Sequence, residues 1–430
     1  YTQIDRMRKF ILWFATITIV FIVLGFIVKS KYYYLPYPNL IEYFLSFVLL
    51  IITLVSLIRK TRIDIKAKLL IGFASISVLM GMITFFNFTF KWHPVNLNPP
   101  FSKSQSFEVD YEPYNWKTET PNTYGYNNEI LTDYFSKLDK WERLRGLLIV
   151  KEDKLIVEKY FGGTTKYSAF NIHSVTKSIT SALVGLAIQH NFIKSEDELI
   201  LPFFSEFQNN PFGDFKRALT IKHLLSMRGG WRGGDGFQTV EQCITKEHLH
   251  VMPDTEFKYF TGSQNILSAI VTKSTKQSTK EFCYKFLLQP LGIKNAFWRE
   301  VDGYYVGGDE SYYTARDLAR FGELFINKGN VDGKQLLDSA WIDKTFANYT
   351  DSSKAFRSLD SYDEVGYGFC WWILETKDNR KMYTARGKGG QHIILFPDKR
   401  IITVIIQEWN PLQKNETVEN QLLGELLSIL

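Results

Sequence analysis

The chain has few cysteines, and their number and spacing exclude two kinds of cross-linked protein. Only three occur in 430 residues, at Cys243, Cys283 and Cys370, and none belongs to a Cys-x-x-Cys pair. An odd number of widely spaced cysteines excludes a disulfide framework and a zinc site built mainly of thiolates. A Gly-x-Ser-x-Gly motif is also missing, which argues against an α/β-hydrolase.

Charge of one sign is equally scarce. The chain carries 51 Lys and Arg residues against 45 Asp and Glu residues, a net charge of only +6. It has no long basic run interleaved with aromatic residues, so the electrostatic signature of nucleic-acid binding is missing. His248 and His250 lie two positions apart, where they face apart on a helix, and no third ligand is evident. We therefore expect no nucleic-acid partner, no metal and no organic cofactor.

Three long apolar segments lie near the start of the chain, at residues 10–28, 41–58 and 69–90. Each has about the 20 residues that a helix needs to cross a bilayer. The flanking basic residues are Arg6, Arg8 and Lys9 before the first segment, Lys29 and Lys31 after it, and Arg59, Lys60, Arg62, Lys66 and Lys68 between the second and third. Because cytoplasmic links carry the excess of Lys and Arg, the N-terminus and the second link are predicted to be cytoplasmic. The pattern predicts an integral protein of the plasma (inner) membrane, with everything after Phe90 on the outer face.

The rest of the chain divides into a short segment and one large domain. Residues 91–127 are rich in Pro, Asn, Ser and aromatic residues and have no regular hydrophobic period, which is typical of a linker or of a strap on a domain. Residues 128–430 are ample for one hydrolase-sized domain. We therefore predict a transmembrane region at 1–90, a linker at 91–127 and a domain at 128–430.

Strand patterns occur at both ends of this domain and helix patterns in its middle. Arg145–Tyr160 has two aliphatic runs around a polar turn, and residues 392–396 and 401–407 flank a turn at 397–400. Helices are predicted at residues 174–189, 221–227, 265–275, 280–288 and 315–327, with a terminal helix at 416–430. This order predicts an α+β fold, in which helices flank one antiparallel sheet and form an inserted helical lobe.

Ser174 and Lys177 form the only Ser-x-x-Lys motif in the chain, and they open an apolar helix. Residues three apart share a helix face, so the hydroxyl and the amine can meet. A serine hydroxyl is a poor nucleophile until a neighbouring base takes its proton. A lysine becomes such a base only if burial or another cation lowers its pKa from about 10.4. Alone the motif is weak, because an N-cap serine beside a solvated lysine gives the same pattern.

Two further motifs follow in order. Tyr259, Phe260 and Thr261 precede a predicted helix, and residues 387–391 read Gly-Lys-Gly-Gly-Gln at the start of a strand. Supporting stretches are Leu224–Met227, Thr314–Gly322 and Gly366–Trp372. From about residue 140 onward the chain resembles the superfamily of serine β-lactamases and penicillin-binding proteins, nearest to class C β-lactamase-like esterases and 6-aminohexanoate-dimer hydrolases.

The resemblance implies a β-lactamase-like fold and a role for each motif residue. Ser174 would be the acylated nucleophile and Lys177 its proton acceptor or relay. Tyr259 would protonate the leaving group and later activate the hydrolytic water. Which group is the first base remains open, since Lys177 and Tyr259 act as a coupled pair.

The glycine-rich motif would supply the substrate-binding side of the site. Lys388 lies where these enzymes present a cation or a histidine to the substrate. The backbone N–H groups of Ser174 and Gln391 would form the oxyanion hole, and Gly389 and Gly390 would let the substrate approach the backbone.

Thr261 departs from the family pattern, which has asparagine in the Tyr-x-Asn motif. A threonine is shorter and lacks the paired donors of an amide. The difference favours an ester or a simple amide substrate, including peptide-like or cell-envelope compounds, over a β-lactam.

The expected function is a membrane-anchored serine hydrolase. Two alternatives remain: a sensor or receptor that a ligand acylates without efficient turnover, and an inactive structural anchor. The residues indicate neither the oligomeric state nor the individual substrate.

Overall fold

The structure is a computed structural model of the chain, and it describes residues 106–207, 213–231, 239–245, 249–350, 357–358, 362–409 and 416–430. The three predicted membrane spans, within residues 10–90, lie outside these ranges. Among the described residues, no helix combines the length and the apolar character that crossing a bilayer requires.

The β-strands of the described residues fall at both ends and in the middle of the domain. They are β1 (Ser106–Glu108), β2 (Leu144–Lys151), β3 (Lys154–Tyr160), β4 (Ser168–Asn171), β5 (Phe297–Trp298), β6 (Glu300–Val301), β7 (Tyr304–Tyr305), β8 (Ser311–Thr314), β9 (Asn330–Val331), β10 (Lys334–Gln335), β11 (Arg357–Ser358), β12 (Tyr362–Tyr367), β13 (Trp372–Thr376), β14 (Lys381–Gly387), β15 (Gln391–Phe396) and β16 (Ile401–Gln407).

The α-helices lie mostly between β4 and β11. They are α1 (Asn128–Lys137), α2 (Thr176–Gln189), α3 (Asp214–Arg217), α4 (Ile221–Leu225), α5 (Val240–Thr245), α6 (Gly262–Thr275), α7 (Thr279–Cys283), α8 (Gln289–Leu291), α9 (Ala315–Ile326), α10 (Ser339–Phe346) and α11 (Glu416–Ile429). Residues Tyr284–Leu288 form a π-helical turn between α7 and α8.

Strands from the two ends of the domain form one eight-stranded antiparallel sheet. Its order is β11-β12-β13-β14-β15-β16-β2-β3, and β16 pairs with β2 so that Val404 lies opposite Leu148. Both predicted hairpins are present, as β2–β3 and β15–β16. The predicted α+β arrangement of an antiparallel sheet and helices is confirmed.

Both faces of this sheet are buried, which explains why its central strands are almost continuously aliphatic. In β16, Ile402 and Val404 contribute to one core, whereas Ile401 and Ile405 contribute to the other. Helix α9 covers the first face at close range: a Cβ atom at Gly322 would lie 2.9 Å from the Ile402 side chain. Residues of α1 and α11 belong to the second core.

Helix α2 is the central helix of the domain. Every residue from Thr176 to Ala187 is buried, as expected for a helix that is apolar all round. It packs beside α6. The turn that precedes α2 is therefore held on a rigid element.

A second, four-stranded antiparallel sheet, β1-β4-β8-β5, brings two distant segments together. Strand β4 leads into the turn before α2, and β8 follows the loop that contains Asp309. In their register, Ala169 lies opposite Thr314 and Asn171 opposite Tyr312.

Residues from the predicted linker pack on the domain. Strand β1 pairs with β4, and the Tyr114 backbone N–H donates to Asp317 Oδ1 at 2.9 Å. Trp116 is buried, and its indole N–H donates to the Arg316 carbonyl at 3.1 Å. These contacts place this stretch against the N-terminal turn of α9, where the Thr314 side chain accepts the Asp317 backbone N–H.

Candidate active site

Ser174 lies in a turn of 3-10 helix, His173–Val175, between β4 and α2. The turn is tied to β8 because the Ile172 N–H donates to the Ser311 carbonyl at 3.0 Å. The Thr176 hydroxyl donates to the His173 carbonyl at 2.6 Å. Regular α-helix consequently begins at Thr176, two residues later than the sequence pattern predicted. Ser174 itself is half-buried.

Lys177 brings its amine to the serine hydroxyl from the first turn of α2. Its Nζ atom lies 2.7 Å from Ser174 Oγ and 2.7 Å from the Gly308 carbonyl oxygen. The side chain is only 1% exposed. The structure therefore joins these two residues directly and gives the amine one further fixed partner.

Tyr259 lies on the other side of the amine, in the loop before α6. Lys177 Nζ is 5.0 Å from the centroid of its ring. The ring stacks on Trp372 with centroids 5.9 Å apart and meets Tyr367 edge-on at 6.1 Å. Tyr259 is half-buried, so two aromatic neighbours position its ring and solvent can still reach it.

Thr261, which was predicted to be a substrate-binding residue, is largely buried. It is 6% exposed, and a Cβ atom at Gly308 would lie 2.8 Å from its methyl group. Its methyl group therefore packs against the same glycine whose carbonyl binds Lys177.

The turn between β14 and β15 lies beside the serine. A Cβ atom at Gly387 would be 2.3 Å from the Ile172 carbonyl oxygen, so the end of β14 packs directly against the segment before Ser174. Gly389 and Gly390 have φ angles of +84° and +92°, which residues with a side chain rarely adopt. Lys388 is exposed, and its Nζ atom is 5.0 Å from the centroid of the Trp409 ring.

Gln391 points its side chain into the sheet. It is 1% exposed, and its amide donates to the Gln407 carbonyl and accepts from the Gln407 N–H at 3.3 Å. The side chain thus ties the start of β15 to the end of β16. Any contribution of Gln391 to an oxyanion hole must come from its backbone.

Several residues at this site were not predicted from the sequence. His173 contacts Asp309, with 3.2 Å between Nδ1 and Oδ1, and its ring lies 6.4 Å from that of Trp409. A signal for the Asp309 loop was present in the preceding glycines: a Cβ atom at Gly307 would be 2.0 Å from the Gln264 carbonyl oxygen, so this loop must pack tightly on α6.

The charges near the amine favour an ionised Asp309. Burial alone would raise its pKa, but the hydrogen bond from His173 and the positive charge of Lys177 hold that pKa below its usual value. Burial raises the pKa of the Cys370 thiol to about 12, against the opposing effect of Lys177. The charge of Lys177 therefore acts on both Asp309 and Cys370, lowering the pKa of each.

No cluster that could hold a metal ion was found among the described residues, where groups of three or more His, Cys, Asp and Glu were sought. His248, one of the two histidines considered in the sequence, lies outside the described ranges.

The chain is similar in sequence to known proteins of one family. The beta-lactamase family model matches residues 133–428. The 6-aminohexanoate-dimer hydrolase of Paenarthrobacter ureafaciens is 23% identical over 293 residues, which cover 61% of this chain and 72% of that protein.

Solved structures show the same fold at lower identity. EstCE1, described as a hydrolase with promiscuous acyltransferase activity, has a TM-score of 0.57 and 15% identity over 69% of this chain and 97% of its own. The octameric penicillin-binding protein homologue from Pyrococcus abyssi has a TM-score of 0.55 and 19% identity over 70% and 77%. The family match spans more than half of the chain, and the chain therefore belongs to the beta-lactamase family and is a serine hydrolase.

Proposed function

We propose that this protein cleaves an ester or a simple amide through an acyl-enzyme on Ser174, with Lys177 and Tyr259 as its acid and base groups. The observation that carries the proposal is the 2.7 Å contact between Lys177 Nζ and Ser174 Oγ. In a buried site such a contact gives a hydroxyl the adjacent base that it needs to become a nucleophile.

Acylation begins once Lys177 has lost its proton: the Ser174 hydroxyl then transfers its own proton to the Lys177 amine. A neutral amine has two N–H donors and one lone pair, so it can donate to the Gly308 carbonyl while accepting from the serine. The serine oxygen then attacks the substrate carbonyl carbon, and the bond to the alcohol or amine leaving group breaks. The leaving group departs with a proton, and the acyl group remains on Ser174.

Tyr259 is suited to the proton transfers on the leaving-group side. Its ring lies 5.0 Å from Lys177 Nζ and is half-buried. Its hydroxyl would give its own proton to the leaving group, and the resulting phenolate would then take a proton from a water molecule. The oxygen of that water attacks the acyl carbonyl carbon, the bond to the Ser174 oxygen breaks, and Lys177 returns its proton to that oxygen, which releases a carboxylic acid and regenerates the serine hydroxyl.

The N–H groups proposed to bind the developing oxyanion are those of Ser174 and Gln391. Gly387 packs against Ile172, so the end of β14 and the turn of Ser174 are neighbours. Lys388, which is exposed beside Trp409, is proposed to bind the polar part of the substrate. Backbone donors of this kind contribute through preorganised electrostatic stabilisation.

The substrate class follows from what lies beside the tyrosine. Thr261 stands where the family pattern has asparagine, and a threonine side chain has no amide to offer to an acylamino group of the substrate. This supports esters and simple amides, including peptide-like compounds of the cell envelope, over β-lactams.

The decisive experiment is labelling and turnover with the full chain. A fluorophosphonate should label the protein on Ser174, and p-nitrophenyl esters or aminohexanoate amides should be turned over many times, faster than nitrocefin. Ser174→Ala should abolish both signals. Equal labelling in the variant would refute the nucleophile assignment, and a stable adduct without turnover would identify an acylated sensor instead.

We also propose that residues 1–90 anchor the enzyme in the plasma membrane with its hydrolase domain outside. The lengths of the apolar segments and the placement of basic residues support this. The full chain should remain in the membrane pellet after carbonate extraction, and a membrane-impermeant fluorophosphonate should label intact cells. Release by carbonate, or labelling only after lysis, would contradict anchoring or orientation respectively.

A further inference from the structure

His173, the residue directly before the proposed nucleophile, has an unusual backbone conformation. Its φ angle is +47°, in the left-handed region that few non-glycine residues adopt, although asparagine, aspartate and histidine do so more often than the others. Such conformations are strained and persist only where the surroundings enforce them. At His173 they do: its N–H donates to Asn171 Oδ1 at 2.9 Å and its carbonyl accepts the Thr176 hydroxyl.

The side chain of His173 is held by a second set of contacts. Nδ1 lies 3.2 Å from Asp309 Oδ1, and the two side chains are 12% and 18% exposed. The same carboxylate oxygen accepts the Glu310 backbone N–H at 2.7 Å. A ring that donates from Nδ1 can leave its buried Nε2 as a bare lone pair. The contact therefore depends on Nδ1 in particular.

Asp309 also adjoins the partner of Lys177. The carbonyl of Gly308, which binds Nζ at 2.7 Å, belongs to the peptide group that leads into Asp309. One short segment thus contacts both halves of the proposed catalytic pair: Gly308 fixes the amine, and Asp309 fixes the residue before the serine.

We propose that His173 and Asp309 are a pair of positioning residues that hold the turn at Ser174 in the orientation required for acylation. The inference rests on the proposed function of Ser174 and Lys177 and adds a requirement to it. Rotation of the His173 backbone would turn the Ser174 N–H and hydroxyl away from Lys177. A displacement of about 1 Å in such a group lowers rates by roughly 100-fold.

The test uses two amide variants that imitate different ring nitrogens. In His173→Asn the side-chain nitrogen falls at the position of Nδ1, and asparagine tolerates a left-handed backbone. In His173→Gln the nitrogen falls near Nε2, and the Nδ1 donor is lost. His173→Ala removes both nitrogens.

Second-order rates of fluorophosphonate labelling, kcat and KM should be measured on the full chain, with Tm for each variant. We expect His173→Gln and His173→Ala to lower the labelling rate and kcat by roughly 10- to 100-fold with little change in KM. His173→Asn should keep most of the wild-type labelling rate and kcat. Asp309→Ala should match His173→Ala, and the double variant should lose little more than either single one, because the pair acts as a unit.

Each outcome separates the two proposals. If Ser174 is labelled but His173→Asn and His173→Gln behave alike, or if the effects of His173→Ala and Asp309→Ala simply add, the positioning pair is refuted and the proposed function stands. If losses follow Tm rather than kcat, the contact is structural only, which also refutes positioning. If Ser174 is not labelled in the wild-type chain, the proposed function itself fails.

Discussion

The Gly308 carbonyl oxygen accepts a hydrogen bond from Lys177 Nζ at 2.7 Å. The same amine also contacts Ser174 Oγ. The glycine is in turn confined by Thr261, whose methyl group would lie 2.8 Å from a Cβ atom at position 308. The position of the proposed base therefore depends on a residue that has no side chain.

Adding one methyl group at this glycine should lower activity more than stability. Gly308→Ala would push the loop away from Thr261 and displace the carbonyl that binds Lys177, so we expect kcat to fall about 10- to 100-fold. Steady-state kinetics and thermal melting measure the effect. Gly213→Ala is the control, because a Cβ atom there meets nothing within 4 Å. Equal kinetics for both variants would show that the Gly308 carbonyl has no role.

Removing the amine should abolish most activity and leave the fold intact. Lys177→Met keeps the buried, unbranched chain and loses the proton acceptor, so kcat/KM should fall by about 100- to 10,000-fold. Lys273→Met, at a half-buried residue that pairs with Glu206 and is not part of the proposed site, should behave as wild type. If the Lys177→Met variant kept most of the wild-type activity, Lys177 would be excluded as the base.

The tyrosine hydroxyl can be removed without disturbing its ring. Tyr259→Phe should keep the stacking on Trp372 and reduce kcat by about 100-fold or more, with no loss of Tm. Tyr383→Phe, whose ring stacks on Phe346 away from the serine, controls for the loss of a phenol. If deacylation is the step that depends on the hydroxyl, the Tyr259 variant should accumulate the acyl-enzyme in a burst. Unchanged kcat would rule out acid or base catalysis by Tyr259.

Stability should depend on pH through Asp317. Burial raises the pKa of this carboxyl to about 7, although hydrogen bonds from Tyr114 and Thr314 oppose the shift. Because the folded state holds the proton more tightly than the unfolded chain, the free energy of unfolding should fall as pH rises from about 4 to 7 and then level off.

Asp317→Asn removes this titration and keeps an acceptor for the Tyr114 N–H. Its Tm relative to wild type should therefore rise between pH 5 and pH 8, by roughly 3 °C or more. Differential scanning fluorimetry of both proteins at the two pH values measures the difference in Tm between variant and wild type. The effects of the other titrating groups are the same in both proteins and cancel in this difference. A constant difference in Tm would show that Asp317 keeps an ordinary pKa.

The features predicted correctly from the sequence are those with a local cause. The hairpins β2–β3 and β15–β16 were predicted from aliphatic runs on either side of a turn. Helix α2 was predicted from a largely apolar segment of the sequence. Ser174 and Lys177 meet because three positions bring side chains to one face of a helix. Such contacts need no knowledge of the remaining chain.

The parts of the site that escaped prediction depend on tertiary pairing. His173 and Asp309 are 136 positions apart, and they meet because β4 pairs with β8. Trp409 approaches Lys388 only after β16 has joined the sheet. Helix α2 begins later than predicted for a similar reason. The Ile172 N–H donates to the Ser311 carbonyl, and the hydroxyls of Thr176 and Ser311 are hydrogen-bonded, so the turn before α2 is held as 3-10 helix.

The pairing of β16 with β2 has a consequence during synthesis. The β2–β3 hairpin leaves the ribosome early, whereas the strand that covers its inner edge is translated almost at the end of the domain. Until then the nascent hairpin presents an open, aliphatic edge, the kind of surface that promotes aggregation. Chains interrupted before Gln407 should accordingly bind holdase chaperones. Helix α2, which follows Ser174, should reach its final packing only after β16 has been translated.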